Sequence, residues 1–170
     1  IREAISAPDI STANEQARKA LPRGADALQF QLHVQSNKPG KLTGVPIQSQ
    51  SDFAELLQDI PLADTPLHFD AGVASPALLA MAQNEVVSRE TDPQNVWATF
   101  MYDPFVYLLQ NGRYPADKKQ LQDQIRQLGQ QATSELPNAR PLGIDGRAYH
   151  NAGSTIVQEL GYSLASASEY

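Results

Sequence analysis

Residues 25–34 read Ala25-Asp26-Ala27-Leu28-Gln29-Phe30-Gln31-Leu32-His33-Val34. On an extended strand Ala25, Ala27, Gln29, Gln31 and His33 fall on one face, while Leu28, Phe30 and Leu32 fall on the other. A parallel strand buried on both faces would be apolar almost throughout. This one has an apolar face suited to packing on helices and a polar face suited to a wet or ligand-filled barrel interior. The alternative is a half-exposed edge strand of an open sheet.

The flanking sequence repeats one device. Residues 1–5 alternate as a short strand, and a helix then runs from Ile10 through Ala13, Ala17 and Leu21 until Pro22 and Gly24 end it. Residues 38–46 form a Pro/Gly loop. Ser51 is expected to cap a helix carrying Phe53, Leu56, Leu57 and Ile60. Residues 65–70 form a strand, and Ser75-Pro76 reads as a cap followed by a first-turn proline, with Leu78, Leu79, Ala82 and Val86 behind it. Residues 96–102 form a further strand, and Asp103-Pro104 repeats the cap-plus-proline device until Gly112 stops the helix. Residues 117–133 are helical, with Leu121, Ile125 and Leu128 inward. Residues 140–144 form the fifth strand. From about Asn151 a helix carries Ile156, Leu160 and Leu164 four residues apart. Five strand-plus-helix units in succession imply parallel strands joined by right-handed helical crossovers. The expected fold is α/β, a partial TIM (β/α)8 barrel of about five units.

Composition narrows the function. The 170 residues hold 41% hydrophobic and 19% charged side chains, the balance of a globular domain. No run approaches the roughly 18 apolar residues of a membrane span. Thirteen Lys and Arg against 19 Asp and Glu give a net charge of −6, which argues against a general nucleic-acid binder. The absence of cysteine excludes disulfides, thiolate catalysis and cysteine-ligated metals, and is compatible with a cytoplasmic setting. The chain opens on Ile1 and stops at Tyr170 within an amphipathic pattern, so a piece of a longer polypeptide is expected.

Candidate chemistry gathers at the carboxyl ends of the strands, where parallel α/β folds build their sites. His33 and His68 lie there, His150 follows the fifth strand, and Asp70 and Asp145 are near. Three histidines could ligate a metal or supply a general base. No close His-x-His pair supports a metal site, so none is expected. Gln29, Gln31, His33, His68 and Asp145 are the candidates for substrate binding in a barrel interior or mouth. The basic residues Lys38, Lys41, Arg113, Lys118 and Lys119 read as solubilising, or as contacts to a phosphorylated ligand. There is no phosphate-binding Walker run, dinucleotide fingerprint or Gly-x-Ser-x-Gly elbow.

The most informative stretch is Ile144-Asp145-Gly146-Arg147-Ala148-Tyr149-His150-Asn151-Ala152-Gly153-Ser154-Thr155. Gln158-Glu159-Leu160-Gly161-Tyr162-Ser163-Leu164-Ala165 and Glu169-Tyr170 follow it. It resembles the substrate-binding barrel of the methylmalonyl-CoA mutase family, with its Ile-Ser-Gly strand end, Glu-Ala-Gly-Ala loop and helix closing on Glu-Tyr. Ala13-Asn14, Ala20-Leu21 and residues 24–28 look like the small, non-catalytic subunit of the heterodimeric members. His68-Phe69, Tyr102-Asp103-Pro104 and Asn111-Gly112-Arg113 fit the same picture.

The resemblance implies residues 1–170 of one acyl-CoA mutase-type barrel domain, with the cobalamin-binding domain outside them. It implies an isomerase complex of propionate metabolism that interconverts methylmalonyl-CoA and succinyl-CoA with adenosylcobalamin. It further implies a catalytic large subunit as heterodimer partner, acyl-CoA as a conceivable ligand, and neither nucleic acid nor membrane as a target. Catalytic members carry Gly-Tyr-His after the fifth strand. Ungapped alignment puts Arg147 and Ala148 where that Tyr and His belong, with His150 two residues late. Alanine cannot donate a hydrogen bond or a proton. The chain is therefore expected to support a catalytic partner, with no catalytic residue of its own and His150 the weak candidate. Against this stand an active acyl-CoA mutase chain using His150, or an unrelated parallel α/β enzyme. Adenosylcobalamin belongs to the holo-complex and is not expected to be bound by these residues.

Overall fold

A computed structural model describes residues 1–32 and 44–170. His33, Lys38, Lys41 and most of the anticipated 38–46 loop lie outside the described residues.

Five strands, β1 (Arg2–Ile5), β2 (Ala27–Gln31), β3 (Leu67–Asp70), β4 (Ala98–Tyr102) and β5 (Ala139–Leu142), form one parallel sheet in chain order. Between them run α1 (Ile10–Ala20), α2 (Gln50–Leu56), α3 (Ser75–Ser88), α4 (Pro104–Asn111) and α5 (Lys118–Glu135). After β5 come α6 (Arg147–Asn151) and α7 (Ile156–Glu169). Right-handed crossovers between strands taken in chain order deliver successive helices to the same side of the sheet. That is the arrangement of a partial TIM-like barrel.

In a parallel ladder, residues in register share a face. Leu28, Leu67, Ala98 and Ala139 form one row across β2 to β5, all buried on the helix side. Phe30 and Phe69 form the next row; Phe69 packs between Phe30 and Phe100 with ring centres 5.7 and 5.4 Å away, and Phe53 of α2 lies 5.4 Å from it. The other face carries the row Ala4, Gln29, His68, Thr99 and Arg140, none of them buried.

Buried and half-buried polar groups bind the helix layer together. Asn14 of α1 donates from Nδ2 to the carbonyls of Leu56 and Gln58, at 2.9 and 2.8 Å. Arg89, beyond α3, donates to the carbonyls of Leu57 and Ile60 while its Nε bonds Glu85 at 2.6 Å. These bonds satisfy carbonyls at the end of α2 that the helix ladder leaves free.

Several boundaries differ from the sequence reading. The cap of α2 is Ser49 rather than Ser51; it forms a reciprocal capping box with Asp52, which Ser51 has no equivalent partner to build. Ser75 is the first helical residue of α3 and not its cap. Its hydroxyl donates to the Gly72 and Phe100 carbonyls, fixing the helix start against β4. The helix expected from Asn151 is two: α6 ends there, and α7 begins after Thr155, whose side chain caps it with Gln158. The stripe Ile156, Leu160 and Leu164 faces outward, 84%, 59% and 62% exposed. No helix among the described residues is long and apolar enough to cross a membrane.

Candidate functional site

Strand alternation turns Gln29, His68, Asp70, Thr99 and Met101 to the open face. With Arg2, Asp145 and Arg147 they border a cavity of about 270 Å³ at the carboxyl ends of the strands. Gln31 lies exposed one pleat further along β2.

Arg147 organises this mouth. Its Nε and Nη2 donate to the two oxygens of Asp145 at 2.7 and 2.8 Å, and Nη2 also reaches Asp70 at 2.9 Å. The backbone N–H of Arg147 adds a bond to Asp145 at 3.1 Å. The guanidinium thus ties the end of β3 to the turn after β5. The Asp145 hydrogen bonds, then those to Asp70, hold it in its charged form even more firmly than usual. The side chain remains 56% exposed, so the pair contributes about 1 kcal/mol or less to stability, and its main effect is geometric.

His68 shares its Nδ1 with the Thr99 hydroxyl at 2.8 Å. Burial lowers its pKa, and the nearby Arg2 lowers it further, so the neutral ring is favoured. His150 sits apart on α6, 68% exposed, with Nδ1 3.1 Å from Glu159 of α7. Asp145, near it in the sequence, is taken by Arg147. The structure brings Gln29, His68 and Asp145 to one cavity and leaves His150 outside its lining. Among the described residues no group of three or more His, Asp or Glu could hold a metal ion.

Sequence reasoning missed Met101 and read Asp103 as a helix cap alone. Met101 lies where the β4–β5 register shifts, with φ at 52°, in a region costly for a non-glycine residue. A Cβ on Gly143 would come within 3.3 Å of the Met101 Cα and collide with its Sδ, so the glycine makes room for the bulge. A second cavity of about 160 Å³ lies on the other side of Met101, lined also by Asp70, Asp103 and Asp145. A further cavity of about 840 Å³ lies between α5, Leu142 of β5 and the residues Glu169 and Tyr170.

A family model described as Methylmalonyl-CoA mutase matches residues 1–170. Three relatives are each described as a methylmalonyl-CoA mutase small subunit. That of Porphyromonas gingivalis is 29% identical over 169 residues, covering 99% of this chain and 25% of the relative. That of Propionibacterium freudenreichii subsp. shermanii is 27% identical over 164 residues, covering 96% and 23%. That of Streptomyces virginiae is 25% identical over 174 residues, covering 100% and 25%. The chain spans about a quarter of the length of these relatives.

Proposed function

The chain belongs to the methylmalonyl-CoA mutase family, and from that premise we propose that it serves the small subunit as structural support for a catalytic large subunit. In this reading residues 1–170 are part of one acyl-CoA mutase-type barrel domain. The assembled heterodimer interconverts methylmalonyl-CoA and succinyl-CoA in the cytoplasm, as a step of propionate metabolism. The observation that carries the reading is Arg147. Where catalytic members resemble one another in Gly-Tyr-His, this chain has Gly146-Arg147-Ala148, and the arginine is spent on Asp145 and Asp70. Ala148 has no group to polarise a thioester carbonyl. His150, the other candidate, is directed to Glu159.

The chain's own residues do not fit adenosylcobalamin. The cavity at the mouth, about 270 Å³, lies below the roughly 300–1,000 Å³ of pockets for drug-sized ligands, and a corrin is larger still. The sequence lacks an Asp-x-His-x-x-Gly cobalamin motif. The cofactor therefore belongs elsewhere in the complex. Gln29, Gln31, His68 and Asp145 remain the candidates for contact with an acyl-CoA in the barrel interior or mouth.

The test is association. Mixed with a catalytic mutase large subunit, the chain is expected to co-sediment as a heteromeric complex and to show no saturable binding of methylmalonyl-CoA when titrated alone. Failure to associate would remove the support role. Saturable coenzyme binding lost in His150→Ala would favour the active-chain reading.

A further inference from the structure

Asp103 is buried, 7% exposed, yet it joins three segments of the chain. Its Oδ1 accepts the Val106 N–H at 3.0 Å and so caps α4. Its Oδ2 accepts the backbone N–H of Asp145 at 2.9 Å. The Tyr170 hydroxyl donates to Oδ1 at 2.6 Å, and the Tyr170 ring stacks on Phe105 with centres 5.2 Å apart. Tyr170 ends α7, 67 residues from Asp103 in the chain.

We propose that Tyr170 is a positioning residue for the mouth: through Asp103 it fixes Asp145, and with it the guanidinium of Arg147 that spans β3 and β5. Every link is a hydrogen bond to a carboxylate, the stronger class in proteins. Asp103 is held on one side by its cap bond to α4, so its free motion is rotation about χ angles. The Tyr170 hydroxyl removes that motion. The Asp145 backbone is then anchored while its carboxylate grips Arg147 from two oxygens. A carboxylate whose backbone wandered could not keep that paired geometry. The link also connects the outer helix α7 to the strand ends, beside the bonds that run through the short α6. The inference goes beyond the subunit role and stands whether or not the chain supports a catalytic partner.

Tyr170→Phe tests it, because phenylalanine keeps the stack on Phe105 and deletes only the hydroxyl, which donates to Asp103 and accepts the Phe105 N–H at 3.3 Å. Hydrogen exchange of the Asp145 amide and the Arg147 Nε–H, followed by NMR on the 170-residue chain, reads the link. Both rates are expected to rise about tenfold, the scale of losing one hydrogen bond to a charged acceptor. The amides of Phe69 and Phe100 report the core and should keep their rates. Ser166→Ala removes the 2.7 Å bond between Ser166 and Tyr149, the rival route through α6, and should leave Asp145 and Arg147 within about twofold. Unchanged rates in Tyr170→Phe would overturn the proposal. So would an equal rise in Ser166→Ala, or a loss of protection extending to Phe69 and Phe100.

Discussion

The two faces of the sheet are built from alternate residues of the same strands, yet they obey different physics. On the helix side, Phe30, Phe69 and Phe100 stack in a row against Phe53, all fully buried. On the open side, Gln29, His68, Thr99 and Arg140 share a row where each polar group keeps access to water or to a partner. The first face holds the fold together through apolar area removed from water. The second contributes little to stability, so its residues are free to be selected for what they contact. Stability and site chemistry are therefore separable here by strand parity.

The separation can be broken by mutation. Phe69→Ala should destabilise by about 3–5 kcal/mol in urea unfolding, because it empties the centre of the aromatic row. Gln29→Ala, one register row away, should change stability by no more than about 0.5 kcal/mol. Comparable losses at the two positions would erase the distinction. Asp103 is the exception that sharpens it, a buried carboxylate serving the open side. Asp103→Ala removes a helix cap and two further bonds and should cost about 2 kcal/mol, seen as a lowered unfolding midpoint.

Two pH effects follow from burial. Burial, and then the hydrogen bond to Asp103, raise the Tyr170 phenol above its ordinary value; burial does the same for Tyr102. The unfolded chain ionises these groups first, near the ordinary value of about 10, so stability is full below that and falls as pH rises past it. Thermal unfolding should lose part of this alkaline slope in Tyr170→Phe, and an unchanged slope would count against the buried phenol. His68 has the opposite sense. Its pKa is lowered, so below about 6.5 the unfolded state takes up the proton first and stability falls with acidification. His68→Asn should flatten that slope between about pH 7 and pH 5. A small effect is expected for Arg147→Ala, under about 1 kcal/mol, since its ion pairs are half exposed.

Much of this was legible in the sequence. The alternation of residues 25–34 discloses a sheet with one apolar and one polar face, and Asp103-Pro104 discloses a cap that the structure contains. The Ser49-x-x-Asp52 spacing of a capping box distinguishes Ser49 from Ser51, whose third residue on is Ala54. Spacing could not assign the partner of Asp145. Arg147 lies two residues away, but Asp70 is 77 residues from that arginine and meets it only once β3 and β5 stand in one sheet. The outward stripe of α7 illustrates the reverse limit: periodicity shows that Ile156, Leu160 and Leu164 share a face, and says nothing of which way it points.

The proposed support role leaves catalysis to the partner subunit, with neither Ala148 nor His150 supplying a reacting group. Its most direct test is turnover with His150→Ala, in a mutase assembled from the chain and a catalytic large subunit and supplied with adenosylcobalamin and methylmalonyl-CoA. The account expects succinyl-CoA to form within about twofold of the parent rate. A loss beyond about a hundredfold, the scale of removing a general acid–base or oxyanion contact, would contradict it and return catalysis to this chain.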